Sequence, residues 1–297
     1  MTVHHPDDAE VDVVAGRVVA ELDAYARANP LMSAVSDRAE LAGALRAQRA
    51  QLWVLGQGVP RAHLYGAVLG ASSAATAYTG PDGSSGTTED LAQLLEVAAP
   101  SWRASGARSH HVWVPDDSPG LSAWRQLGYE EFEARGLRAL DGLTAPRRRD
   151  VVVHVEVNVE VALDFEDVID ATHGVEVARG RARRGRRREL ARLLDEPDTA
   201  QYLASSPEGT LAQCICFPSA PTRGTPARTL HLSAVAVAAE ARRRGVGRHL
   251  IESVLAGALA QGYSHAEVVW RTANARAGAF WAACGFEVTT VRLRRNL

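Results

Sequence analysis

The chain has 297 residues, 46% of them apolar and 23% charged, with a formal net charge of −2. These are globular proportions; they exclude a disordered chain, and the length suits two domains of ordinary size. All 33 basic residues are arginine, the three cysteines are too few for a disulfide framework and match no zinc spacing, and no apolar run reaches the roughly 18 residues of a membrane span. The opening MTVHHPDDAEVD is acidic and polar, unlike a secretory leader, so the expectation is a cytoplasmic protein with no metal and no membrane partner.

In chain order, helical periodicity covers Val11–Arg27 and Asp37–Arg49, strands are predicted near Leu52–Leu55 and Ala62–Ala71, and GPDGSSG (80–86) reads as a turn. A helix over Thr88–Ala104 and a strand over His111–Val114 follow. LDGLTAPRRRD (140–150) combines Gly, Pro and a basic run and marks a boundary between domains 1–142 and 143–297. Beyond it, VVVHVEVNVEVAL alternates β-branched residues as a strand does, and Phe165–His173 and Arg186–Leu194 read as helices. Strands are predicted at Gln201–Leu203, Leu211–Phe217 and Thr229–Val237, then a long helix Val246–Gln261, strand His265–Trp270, helix Ala275–Ala283 and a strand from Phe286. Cys214, Cys216 and Cys284 fall on apolar segments and read as core.

The two halves repeat one plan. Trp281 and Trp124 lie 157 residues apart, and at that single offset Trp270 meets Trp113, Gly285 meets Gly128, Phe286 meets Tyr129, Glu287 meets Glu130 and Asn274 meets Asp117. The fold class that follows is α/β (α+β): two tandem domains, each a mixed sheet flanked by helices.

The most informative stretch is LHLSAVAVAAEARRRGVGRHLIESVLAGAL (230–259). A strand ends at Val237, Arg242, Arg243, Arg244, Gly245, Val246, Gly247 and Arg248 follow, and a helix begins among them. Glycine lets a backbone approach an anion closely, and the first amide groups of a helix point outward at the positive end of its dipole. The loop is neither GxGxxG nor a P-loop, whose lysine this chain lacks. A basic surface helix opened by glycine is the alternative reading.

VAVAAEARRRGVG before a long helix resembles motif A of the GNAT acyltransferase superfamily, Arg/Gln-x-x-Gly-x-Gly/Ala, filled here by Arg242, Gly245 and Gly247. The second GNAT signature, Asn-x(5)-Phe-Tyr-x(3)-Gly-Phe, is met by Asn274, Phe280, Gly285 and Phe286. The tandem plan is similar to that of mycothiol synthase-like proteins. The resemblance implies largely antiparallel sheets in both halves and an acetyl-CoA site in the second. In that site Val235, Ala236 and Val237 face the pantetheine amides, the backbone of Arg243–Arg248 cradles the pyrophosphate, Asn274 and Phe280 lie near the pantetheine arm, and Trp281 lies at the thioester end. His231 stands where some GNAT enzymes carry a catalytic glutamate; it is either a base or a hydrogen-bonded histidine on a half-buried strand. Strand alternation places it on one face with Ser233, Val235 and Val237. Trp281 occupies the position of the family's general-acid tyrosine, and its indole is a poor acid.

At the same offset Arg242, Gly245 and Gly247 become Ser85, Thr88 and Asp90, and His231 becomes Ala74. The first half is therefore expected to be a degenerate copy with neither phosphate loop nor base. Residues 179–192 carry eight arginines, read as an anionic-acceptor site, a nucleic-acid contact or a solvated loop; the slightly negative net charge and the absence of interleaved aromatics disfavour nucleic acid. The expected function is transfer of an acetyl group from acetyl-CoA to a small-molecule primary amine by a monomer or homodimer; the alternative is an acyl-CoA-binding or sensing protein without turnover.

Overall fold

The structure, a computed structural model, describes residues 2–34, 37–70, 75–143, 150–173, 179–220 and 222–297, and for Arg181 the backbone only. The first half runs β1 (Val3–His4), α1 (Asp8–Ala28), α2 (Arg38–Ala47), β2 (Leu52–Leu55), β3 (Ala62–Tyr65), β4 (Ala67–Leu69), β5 (Thr76–Thr79), β6 (Ser84–Ser85), α3 (Thr88–Ala104), β7 (Ser109–Pro115), α4 (Pro119–Gln126) and β8 (Glu130–Ala139). The second runs β9 (Val152–Val155), α5 (Val159–Thr172), α6 (Gly180–Asp195), β10 (Ala200–Ser206), β11 (Gly209–Pro218), β12 (Thr229–Val237), α7 (Val246–Ala260), β13 (His265–Arg271), α8 (Ala275–Ala283) and β14 (Glu287–Asn296). Both ends of β14 lie 157 residues beyond those of β8, the offset of the sequence repeat. Ala74, the first-half counterpart of His231, and residues 144–149 of the boundary segment lie outside the described residues.

Three predicted elements differ. The strand read over Ala62–Ala71 breaks at Gly66, because the Trp102 indole sits where a β-carbon would be and donates Nε1–H to the Gly66 carbonyl at 3.1 Å. The β-branched run after Asp150 is strand only to Val155; Asn158 then accepts a hydrogen bond from the Val161 amide at 3.1 Å and starts α5 among valines that prefer strands. The arginine-rich segment belongs to a helix from Gly180 onward, earlier than the predicted Arg186, and is no loop.

Among the described residues the strands form a four-stranded sheet, β1-β2-β3-β6, and a ten-stranded sheet, β4-β5-β7-β14-β8-β13-β12-β11-β10-β9. The order in the middle of the larger sheet joins the halves. β14 pairs antiparallel with β7, β8 pairs antiparallel with β13, and β8 and β14 lie side by side. Each half thus lends its last strand to the other, and the sequence boundary near 142 is not where the chain divides in space. The parallel pairs are β5–β7 and β12–β13, at corresponding places in the two halves.

The cores follow this exchange. Val291 and Leu293 of β14 pack into the first-half core with Trp102 and Trp124, whereas Leu250, Ile251, Val254 and Leu255 of α7 centre the second-half core. Within the first-half interior, His110 meets the Tyr129 hydroxyl at 2.6 Å and Thr79 Oγ1 at 2.9 Å. Burial, reinforced by His111 and Arg295, pushes His110 down to about 3, and burial pushes His63 down to about 4.

Two outcomes are expected. Residues 143–297 alone lack the strand between β13 and β14 and should show no cooperative thermal transition by circular dichroism, while co-expression with 1–142 restores one; a sharp transition of the isolated segment would count against the exchange as a requirement for folding. Both buried histidines are held neutral, so their contribution to stability is complete above the unfolded value near 6.5 and is lost as pH falls from there toward 3. Chemical denaturation should therefore show a loss on the order of several kcal/mol across that window, with a shallower slope in His110→Gln.

Candidate functional site

β12 and β13 run in register only from the Thr229–His265 pair to the Leu232–Val268 pair. Beyond Leu232 they separate, and a bulge turns β12 away. Opposite β11, Ser233 pairs with Ile215 and Ala236 with Gln213, so Ala234 and Val235 together face the one residue Cys214, and Ala234 sits at φ +44°. The bulge breaks the expected alternation. Val235 and Val237 pack toward the α7 core, while Ala234 packs on the opposite face with Leu163 and Leu190. His231 lies on that second face, with the Phe217 ring 5.0 Å away. His231 and Ser233 therefore do not share a face with Val235 and Val237.

Between the diverging strands lies a cavity of about 1260 Å³. His231, Val235–Val237, Arg242, Arg243, Gly245–Arg248, Asn274, Phe280 and Trp281 all line it; of the residues singled out from the sequence, Arg244 does not. Gly245 is the N-cap of α7 at φ +77°, no side chain caps the helix, and its first turn holds no acidic residue. The amide groups of Val246, Gly247 and Arg248 have no acceptor within the helix and lie at its positive end. A β-carbon at Gly247 would lie 3.0 Å from Val237 Cγ2 and 3.5 Å from the Phe280 ring, so the Val237 side chain would have to give way. The side chains of Arg242 and Arg248 bond backbone carbonyls, those of Val237 (3.1 Å) and Ala283 (2.6 Å).

Across the cavity, Asn274 caps α8 by accepting from the Ala277 amide at 3.1 Å. Trp281 is only 5% exposed and stands edge-on to Phe280 and Phe286, with centroids 5.0 and 5.2 Å away. Cys284 is buried beside it, and burial pushes its thiol up to about 11. His231 is oriented by a residue the sequence reading missed: Glu267 Oε1 accepts from Nδ1 at 2.8 Å and from the Ser219 hydroxyl at 2.6 Å. Burial would raise the Glu267 carboxyl, but the bond from His231, the charge of Arg135 and the Ser219 hydroxyl together hold it below the usual carboxylate range. In sequence Glu267 is a lone charge on an apolar strand; its signal is the parallel register that sets it beside His231.

Residues 171–286 match the family model Acetyltransferase (GNAT) family. The matched residues run from the end of α5 to the start of β14. No curated protein matches the chain by sequence. Among solved structures, the chain is similar to a GCN5-related N-acetyltransferase from Sphaerobacter thermophilus, with 16% identity, 99% of this chain and 95% of that one covered, and a TM-score of 0.64. A tandem GNAT protein from the clavulanic acid biosynthesis pathway aligns over 99% of this chain and 98% of its own, with 15% identity and a TM-score of 0.56. A GCN5-related glucosamine N-acetyltransferase region of a fungal multi-domain GH3 beta-N-acetylglucosaminidase aligns over 99% of this chain and 38% of that one, with 14% identity and a TM-score of 0.58. These likenesses show the fold, two tandem GNAT-like domains.

The first GNAT-like domain lacks the exposed helix start. Thr87 and Asp90 form a capping box on α3, Asp90 pairs with Arg61 at 2.5 Å, and Glu89 adds a second acid to the first turn. In the second half, the arginines of α6 face the acidic side of α5: Arg183 binds Asp164 and Asp167, Arg186 binds Asp170 and Glu166, and Arg187 binds Glu160. Three of the cluster's eight arginines thus pin one helix to the other. Among the described residues no His, Cys, Asp or Glu group is arranged to hold a metal, and no helix is long and apolar enough to cross a membrane.

Cys214, Cys216 and Cys284 are all buried. Iodoacetamide at pH 8 should leave the native protein unlabelled by mass spectrometry and label all three thiols in denaturant. Rapid native labelling of Cys284 would mean that its thiol is reachable from the cavity.

Proposed function

We propose that the chain is an N-acetyltransferase that uses its second domain to move an acetyl group from acetyl-CoA to the primary amine of a small molecule. The observation that carries this reading is the start of α7. An uncapped, acid-free helix N-terminus behind a left-handed glycine opens into the cavity beside the freed edge of β12. The residues present fit the group: Gly247 leaves space that a side chain would fill, and the ladder between β12 and β13 ends before Val235–Val237.

On this reading the backbone of Arg243–Arg248, with the charge of Arg242 and Arg244 nearby, holds the pyrophosphate. Val235, Ala236 and Val237 face the pantetheine arm, and Asn274, Phe280 and Trp281 enclose its far end. When bound, acetyl-CoA supplies an acyl thioester. Glu267 takes the Nδ1 proton side of His231, so Nε2 is the nitrogen that receives a proton from the acceptor amine. A cleft walled by the sheet and α5 suits a small acceptor better than a protein segment.

One observation favours a second reading, an acyl-CoA-binding or sensing protein without turnover. Trp281 fills the tyrosine position with a buried indole, and no tyrosine is among the described residues lining the cavity.

Calorimetry of the full chain with acetyl-CoA and desulfo-CoA is expected to show binding, and free thiol should appear when a panel of amines is added. No binding at millimolar ligand would sink both readings, and binding without thiol release would leave the sensor. His231→Ala should lower turnover on the order of 100-fold with acetyl-CoA binding retained. Gly247→Val should weaken acetyl-CoA binding by about tenfold or more, since its methyls have no space beside Val237 and Phe280.

A further inference from the structure

Glu267, which orients His231, is approached from behind by a residue of the other half. Arg135 lies on β8, paired with Val269 of β13, two positions from the pair Leu137–Glu267. Its Nε is 3.8 Å from Glu267 Oε2, and each of these two buried atoms makes no hydrogen bond. Opposite charges therefore face each other just beyond hydrogen-bonding reach. The guanidinium is fixed from its other sides: it lies over the Trp113 ring, 4.9 Å from the centroid, and reaches Thr222 Oγ1 at 3.5 Å. Among the described residues the ion-pair partners of Glu267 are Arg135 and His231.

We propose that Arg135 is a positioning residue for the acyl transfer: acting through Glu267, it shares that carboxylate's charge and holds it aimed so that His231 offers Nε2 to the cavity. This rests on the reading of His231 as the base, and it makes the first half a working part of the second half's site. The chemistry follows from burial. A carboxylate removed from water becomes protonated unless a cation or donors compensate. A protonated Glu267 would donate to Nδ1 and move the ring proton to Nε2, the wrong tautomer for a base facing the cavity. The donors on His231 and Ser219, with the charge of Arg135, oppose that protonation. Arg135 also draws off part of the carboxylate's field, so that the imidazolium formed on proton transfer is not held too tightly to release its proton to solvent.

The other charged or titratable groups on elements packed against β12 are placed differently. Glu166 and His173 of α5 line the same cavity, and Glu166 is paired with Arg186. Arg271, at the end of β13, pairs with Glu133 at 3.3 Å. His249 belongs to α7, which packs on the opposite face of the sheet.

The test uses the full chain with Arg135→Met, Arg135→Lys and Glu267→Gln. Two readouts are taken: the pH profile of kcat at saturating acetyl-CoA, and the ¹⁵N resonances of the His231 ring. In the parent protein the ring should carry its proton on Nδ1. Arg135→Met frees the Glu267 charge to hold the imidazolium, so the His231 midpoint and the acid limb of kcat should both rise by about half to one pH unit. At neutral pH kcat should fall by about tenfold with the KM for acetyl-CoA nearly unchanged. Arg135→Lys keeps the charge and should leave the limb in place. Glu267→Gln removes the anion and should move the midpoint the opposite way, downward; if Arg135→Met does not fold, Arg135→Gln takes its place. An unmoved midpoint in the Arg135 variant, or a kcat loss equal at every pH, would reduce Arg135 to a packing residue and overturn the proposal. A shifted midpoint in a protein that transfers no acyl group would overturn the acyltransferase reading and leave the linkage of Arg135 to His231 standing.

Discussion

β8 is held on both sides by strands of the other half, and this one ladder arrangement sets most of what the molecule can do. Had each half closed on its own last strand, β7 would lie beside β8 and β13 beside β14, leaving two sheets joined by a tether. Exchange makes ten strands continuous and leaves β4 and β9 as the outer strands. It also carries residues across. Val291 and Leu293 complete a core made of first-half side chains, Trp102 and Trp124 among them, and Arg135 arrives behind a carboxylate of the second half.

Within that shared sheet the two copies of one plan differ at a few positions. Both place a helix start beside a parallel strand pair. In the first copy Thr87, Glu89 and Asp90 satisfy and neutralise that start with the chain's own oxygens. In the second, Gly245 and Gly247 leave it open, and the bulge at Ala234 swings β12 clear so that the opening faces a cavity. A helix end already occupied by its own carboxylate has no affinity left to offer an outside anion, so the same fold yields a structural support in one half and a candidate binding site in the other.

Much of this was legible in the residues. The offset of 157 predicted two copies, and its bounds hold at both ends of β8 and β14. Arg242, Gly245 and Gly247 marked the loop because glycine spacing and helix start are local properties of the chain. What escaped was non-local. Glu267 matters through the register of two parallel strands, Arg135 through a strand exchange, and the orientation of Val235 through a single extra residue that reverses alternation. The start of α5 was hidden because the cap at Asn158 outweighs the strand preference of the valines after it. The arginine cluster looked like a site because its partners, the acids of α5, lie on another helix.

The exchange also imposes an order in time. A ribosome makes Trp113 long before Arg292, its partner across the β7–β14 ladder. Until that later strand emerges, β7 presents an unpaired edge, and Trp102 and Trp124 wait for Val291 and Leu293 to cover them. The first half, although synthesised first, cannot be finished first. Its maturation is tied to the chain's far end, so damage near Leu293 reaches the opposite half of the protein.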